Sequence, residues 1–212
     1  MKNYFVTGTD TGCGKTVVSS CLVKALDADY WKPIQTGTID GSIDKLIVQR
    51  LTGFEEDRFH PSSYSFRQPL SPLEAASREK RKIIIEKIKI PQSDRPIIIE
   101  GAGGILVPIT RKKFMVDLIA RLHLSVVLVC KTSLGTINHT LLSIEALRKR
   151  HINLVGIVFS GKINKWVARS IAEMTKVNII GKVPIIKPLS RNGVESFIKN
   201  DNFANFLKSD NI

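Results

Sequence analysis

The sequence predicts an α/β fold, a mostly parallel sheet with helices on both faces. Three observations carry that expectation. Short runs rich in β-branched residues alternate with helical patterns along the whole chain. A glycine-rich turn joins the first strand directly to the first helix. The polar motifs fall just after strand ends, where ligands sit in open α/β sheets.

Taken in order, Tyr4–Thr7 is the first strand and Lys15–Leu26 the first helix. Between them runs Gly8-Thr9-Asp10-Thr11-Gly12-Cys13-Gly14-Lys15-Thr16, a P-loop with five residues between Gly8 and Gly14 instead of the common four. Glycines let successive N–H groups face one concavity, and the helix adds its positive N-terminal end. Lys15 is placed to reach the outer phosphates and the Thr16 hydroxyl to ligate Mg²⁺. The architecture expected is therefore a P-loop NTPase-type three-layer fold. Cys13 lies inside this nest. It is either a thiol of lowered pKa, open to alkylation and protected by ATP, or a small side chain facing away.

The second strand, Asp29–Lys32, runs into Lys32-Pro33-Ile34-Gln35-Thr36-Gly37, where proline stops the ladder and presents Lys32 and Thr36. Ile43–Leu51 is the next helix, with Asp44 in its first turn, a placement that also stabilises helix starts in general. Phe54–Pro61 reads as a loop, Ser71–Ser77 as a helix and Pro91–Pro96 as an approach loop. Pro96–Glu100 is an all-apolar strand ending in a carboxylate, followed by a Gly101-Ala102-Gly103-Gly104 turn. A carboxylate at a buried strand end needs a partner, which Mg²⁺ or Lys15 would supply.

Phe114–Leu122 is helical, and Val126–Cys130 is the fourth strand. The segment Lys131–His139 then opens the helix Thr136–Arg150, and its N–H groups suit a carboxylate or phosphate. Capping alone would account for Thr136 and Asn138. Strands Leu154–Phe159 and Ile179–Val183 flank the helix Lys165–Thr175. Each strand ends in a short loop, Ser160-Gly161-Lys162 and Pro184-Ile185-Ile186, placed to flank a base. A helix over Val194–Leu207 closes the chain.

At 212 residues the chain fits one domain spanning 1–212. No apolar run matches a membrane span, and Lys2-Asn3 is not followed by a signal-peptide core, so a cytoplasmic protein is expected. Cys13, Cys21 and Cys130 show no metal-ligand spacing. The net charge of +13 is scattered over separate loops and helix ends, without an aromatic-interleaved basic stripe. It reads as a solvated lysine-rich surface that also favours anionic substrates. Nucleic acid and membrane are not the expected partners.

Together these motifs resemble dethiobiotin synthetase. The matching stretches are Tyr4–Thr11 with Gly14-Lys15-Thr16, Lys32-Pro33, Asp44, Ser71-Pro72, Glu100–Gly104 and Gly135–His139. The resemblance implies ATP- and Mg²⁺-dependent closure of 7,8-diaminopelargonate and CO₂ to dethiobiotin, with ADP and phosphate released. It implies a carbamate whose oxygen attacks the γ-phosphate, after which the second amine closes the ureido ring. Lys15 and Lys32 would act on the carbamate and phosphate, and Thr11 and Thr36 would bind the carbamate or diamine. Thr16, Asp44 and Glu100 would hold Mg²⁺. Gly8, Gly12, Cys13, Gly14 and Val17 would join Gly101, Ala102 and Gly103 around ATP. Ser160, Gly161, Pro184, Ile185 and Ile186 would flank its base. Gly135, Thr136 and Asn138 would receive the substrate carboxylate from the partner subunit of a homodimer. Ser160 stands where the family usually carries an asparagine that reads adenine, so looser base selection is an expectation.

The main rival is a partition-type P-loop ATPase that binds DNA or membrane. Those proteins carry a signature lysine early in the P-loop, where Thr9-Asp10 stands here. An amidotransferase-type ligase would need a glutaminase domain for which 212 residues leave no room. A basic nucleic-acid-binding module is the non-enzyme alternative.

Overall fold

The computed structural model describes residues 2–39, 41 and 43–200. Seven parallel strands form the main sheet in the order β4-β2-β6-β1-β7-β8-β9. Their spans are β1 Tyr4–Gly8, β2 Asp29–Trp31, β4 Phe59–His60, β6 Ile97–Gly104, β7 Ser125–Cys130, β8 Leu154–Ser160 and β9 Ile179–Val183. The central strands β1, β6 and β7 carry the unbroken apolar runs Tyr4–Val6, Ile97–Ile99 and Val126–Cys130 because both their faces are covered.

Strand parity sorts the core. Tyr4, Val6, Tyr30, Ile98, Val127 and Val129 point to one face. There they meet α1 (Lys15–Ala25), α2 (Asp44–Thr52) and α7 (Arg191–Asn200). Phe5, Trp31, Ile97, Ile99, Val126 and Leu128 point to the other. That face carries α3 (Pro72–Arg78), α4 (Met115–Arg121), α5 (Thr136–Arg148) and α6 (Lys165–Thr175). The three-layer expectation is met.

Four features differ from the sequence reading. The glycine turn expected at Gly101–Gly104 is strand: β6 runs through it, and Gly104 pairs with Gly8. At Gly104 the P-loop backbone comes close, since a Cβ there would lie 3.3 Å from the Thr9 carbonyl oxygen. The expected loop Phe54–Pro61 contains edge strand β4, too short to show a pattern. A two-stranded parallel ribbon, β3 (Ile34–Gln35) with β5 (Tyr64–Ser65), also escapes periodicity for the same reason. Helix α7 starts at Arg191, three residues before the expected Val194, while 201–207 lie outside the described residues.

Candidate active site

The P-loop leaves β1 at Gly8 and is tied to β7 by the Thr9 N–H, which donates to the Val129 carbonyl at 3.1 Å. Gly14 caps α1 in the left-handed region (φ 96°), a conformation only glycine enters without strain. A Cβ at Gly14 would meet Ser160 Oγ at 2.2 Å, so β8 packs directly against the loop. Lys15 folds back over it, its Nζ donating to the Asp10 carbonyl at 2.9 Å.

The loop is a ridge between two clefts. The first, about 700 Å³, has Lys15, Thr16, Lys32, Asp44 and Glu100 at its polar end, with Thr11, Gly12, Gly14, Val17, Ala102 and Gly103 beside them. Thr36, Pro69, Leu70, Pro72 and Val107 complete a more apolar side. The second, about 690 Å³, has Gly12, Cys13 and Gly14 on one wall and Ser160, Gly161 and Ile185 among its other lining residues. Residues distant in sequence as candidates are thus assembled around one loop.

At the polar end, four side chains interlock. Lys32 Nζ lies 2.7 Å from Asp44 Oδ2 and 3.1 Å from Glu100 Oε1. The Thr16 hydroxyl lies 2.7 Å from Asp44 Oδ1 and 3.0 Å from Glu100 Oε1. The Tyr30 phenol donates to Glu100 Oε2 at 3.2 Å. Burial opposes the Lys32 charge, but the Glu100 and Asp44 carboxylates outweigh it and raise its pKa above the ordinary lysine value. Burial likewise opposes the Asp44 charge, yet Lys32, helped by hydrogen bonds from Thr16 and Gln35, holds it below the usual carboxylate range. Burial first, then the Glu100 charge, pushes the Tyr30 phenol well up.

Two carboxylates and a hydroxyl converging beside a phosphate nest are the hard oxygen donors that Mg²⁺ takes, with phosphates and water completing its shell. The donor chemistry fits that ion. Among the described residues, no group of three or more His, Cys, Asp or Glu gathers that could hold a metal ion.

Other candidates are placed elsewhere. Gly8 packs on Cys13, whose Sγ would lie 2.3 Å from an added Cβ, and Gly101 packs on Phe5. Cys13 itself is 1% exposed. Its side chain therefore faces into the protein. Gly135, Thr136 and Asn138 line neither cleft. The Thr136 hydroxyl closes its own loop by donating to the Lys131 carbonyl at 2.6 Å, and Asn138 is exposed. Pro184 and Ile186 also line neither cleft, and Ile186 packs on the α1 side of the core.

Two supporting residues were not expected. Gln35 accepts from the Asp44 N–H at 3.3 Å and donates to the Thr36 carbonyl at 2.7 Å, linking the start of α2 to the β3 loop. It lay inside a recognised motif but had no partner visible in sequence. Tyr30 reaches Glu100 only because β2 pairs with β6, and a three-residue strand gives no parity signal.

A family model described as "AAA domain" matches residues 2–192. The ATP-dependent dethiobiotin synthetase of Nitrobacter hamburgensis is 47% identical over 96% of this chain and 96% of its own. That of Bradyrhizobium diazoefficiens is 42% identical over 99% and 97%. A ParA family ATPase from Chlorobium tepidum shares the fold alone, with a TM-score of 0.56 at 12% identity, over 92% of this chain and 97% of that one. With identity at this level over nearly the full length of such relatives, the chain belongs to the ATP-dependent dethiobiotin synthetase family.

Proposed function

We propose that this protein closes 7,8-diaminopelargonate and CO₂ into dethiobiotin at the expense of ATP, in biotin biosynthesis. The observation that carries the reading is the Lys32–Asp44–Glu100–Thr16 cluster, set between a phosphate-binding loop and a cleft with an apolar side. A diamine with an alkyl chain and a triphosphate have chemically matched surfaces there.

In the reaction, one amine takes up CO₂ and loses a proton to become a carbamate. A carbamate oxygen attacks the γ-phosphorus, and the bond to the β-phosphate oxygen breaks with ADP as leaving group. The second amine then attacks the carbamoyl carbon of the carbamic-phosphoric anhydride, releasing phosphate and closing the ring. Phosphoryl transfer of this kind needs alignment and charge neutralisation more than covalent help. Lys15 and Lys32 bring cationic charge to the carbamate and γ-phosphate. Thr16, Asp44 and Glu100 would hold Mg²⁺, which when bound screens phosphate charge. Thr11 and Thr36, on the same cleft, offer hydroxyls to the carbamate or diamine. Ala102 and Gly103 border the phosphates, and Ser160, Gly161 and Ile185 the base.

The chain works as one domain over 1–212, in the cytoplasm, as a homodimer. Gly135, Thr136 and Asn138 lie outside their own subunit's clefts, which suits a role toward a partner's substrate carboxylate. Base selection through Ser160 is looser than an asparagine would give, because a hydroxyl cannot make the paired amide contact.

The test is phosphate release from Mg-ATP and bicarbonate, with and without the diamine. Release that depends on the diamine is expected. Release indifferent to the diamine but stimulated by DNA or lipid vesicles would reassign the protein to the partition-type ATPases whose fold it shares.

A further inference from the structure

The four carboxylate oxygens of Asp44 and Glu100 are all engaged. Glu100 Oε2 accepts from the Tyr30 phenol at 3.2 Å. Asp44 Oδ1 accepts from Thr16, and Asp44 Oδ2 from Lys32. Glu100 Oε1 faces both Thr16 at 3.0 Å and Lys32 at 3.1 Å. A divalent cation held by Thr16, Asp44 and Glu100 therefore meets an ammonium already bound to two of its three donors. To offer its second oxygen to one of the cations, Glu100 would have to share that oxygen with the Tyr30 donor. Two cations crowding the same carboxylates also repel each other.

We propose that Lys32 is the displaceable counter-ion of the metal site: the divalent cation and the Lys32 ammonium compete for Asp44 and Glu100. Binding the one frees the other for an anion in the same cleft. This rests on the Mg²⁺ assignment made above. It gives Lys32 two successive duties. Before the metal binds, its charge offsets the buried Glu100 and half-buried Asp44 carboxylates, which would otherwise be costly to keep together. Afterwards the same charge is available to a carbamate, so the lysine is delivered only when the metal is in place. Lys15 offers the contrast. It carries the same charge on the same cleft, but its Nζ is bonded to the Asp10 carbonyl, and no ion pair joins it to either carboxylate among the described residues.

The competition predicts an unusual sign. Removing a catalytic lysine should tighten metal binding. Mn²⁺ affinity is read by electron paramagnetic resonance on the full chain without nucleotide, for wild type, Lys32→Met, Lys15→Met, Asp44→Asn and Glu100→Gln. Lys32→Met should bind Mn²⁺ about tenfold more tightly or better, and Lys15→Met less than about threefold more tightly, because only Lys32 touches the ligands. A second readout follows the ammonium itself. Labelling of Lys32 by acetic anhydride, resolved by mass spectrometry, should speed up when Mg²⁺ is added to wild type, with Lys15 unchanged.

Equal tightening in both lysine variants would reduce the effect to general charge and overturn the proposal. So would Mg²⁺ that binds without changing Lys32 labelling. If Asp44→Asn and Glu100→Gln abolish Mn²⁺ binding while Lys32→Met leaves the affinity unchanged, the competition falls and the metal assignment stands. If the two carboxylate variants bind Mn²⁺ like wild type, the metal assignment falls and takes the competition with it.

Discussion

Tyr30 and Glu100, seventy residues apart, share a buried hydrogen bond of 3.2 Å that joins the edge-side strand β2 to the centre of the site. Tyr30→Phe keeps the packing against Phe59 and leaves a buried carboxylate oxygen without its donor. A lost partner of this kind costs about 1–3 kcal/mol. A Tm lowered by roughly 3–10 °C is expected by calorimetry. An unchanged Tm would show that Glu100 does not depend on the phenol.

Gly14 is held by two constraints, a left-handed backbone and the nearness of Ser160. In Gly14→Ala the new Cβ would lie 2.2 Å from Ser160 Oγ at a φ of 96°. The backbone strain alone is about 1–2 kcal/mol, and 1.4 kcal/mol corresponds to about tenfold in an equilibrium. ATP binding, followed by calorimetric titration, should weaken by about tenfold or more. Adding Ser160→Gly should recover only part of that loss, because it removes the collision and leaves the strain. Full recovery would mean that the backbone conformation is not itself constrained.

The thiols should be quiet. Burial pushes Cys21 and Cys130 up to about 12, and Cys13 is shut against the loop. Iodoacetamide at pH 8 should label none of the three in the folded protein and all three in denaturant. Because the folded pKa values of Cys21 and Cys130 exceed the unfolded ones, the unfolded chain releases protons first as pH rises. Stability should thus fall between about pH 9 and 12. Flat stability over that window, measured by urea unfolding, would contradict the burial.

The acid limb has the opposite sign. Burial of Asp29 works against its charge, but hydrogen bonds from Ser93 and Arg58, with the Arg58 charge, hold its pKa below the ordinary value. Its contribution is present above the ordinary aspartate range and is lost as pH falls through the lower folded pKa. Asp29→Asn should therefore flatten the loss of stability at acid pH. An unchanged acid limb would assign that loss to other carboxylates.

Lys32→Ala should lower kcat by about 10²–10³ with little change in the KM for ATP, as expected for charge supplied to the transition state. Lys15→Ala should alter both. Steady-state kinetics that show a pure KM effect for Lys32 would remove it from the chemistry.

How much of this was legible depended on length scale. The P-loop, the motif after β2, Asp44 and Glu100 each announce themselves locally, through glycine spacing or a carboxylate closing an apolar run. Their convergence on one cleft follows from the parallel order of the sheet, which places strand ends together. Tyr30 and Gln35 were not legible, since strands of three and two residues carry no period. The glycines after Glu100 misled for a physical reason. Glycine marks close backbone approach as well as turns, and here β6 lies against Thr9 and Asp10. Cys13 left two readings open, because residue type alone does not say which side of a loop a side chain faces.

The central claim is tested most directly by mass spectrometry of the product formed with carbon-13 bicarbonate, Mg-ATP and 7,8-diaminopelargonate. The account predicts dethiobiotin carrying the heavy carbon in its ureido ring, formed in step with ADP one for one. ADP formed at the same rate without the diamine, or a diamine recovered unaltered, would contradict it.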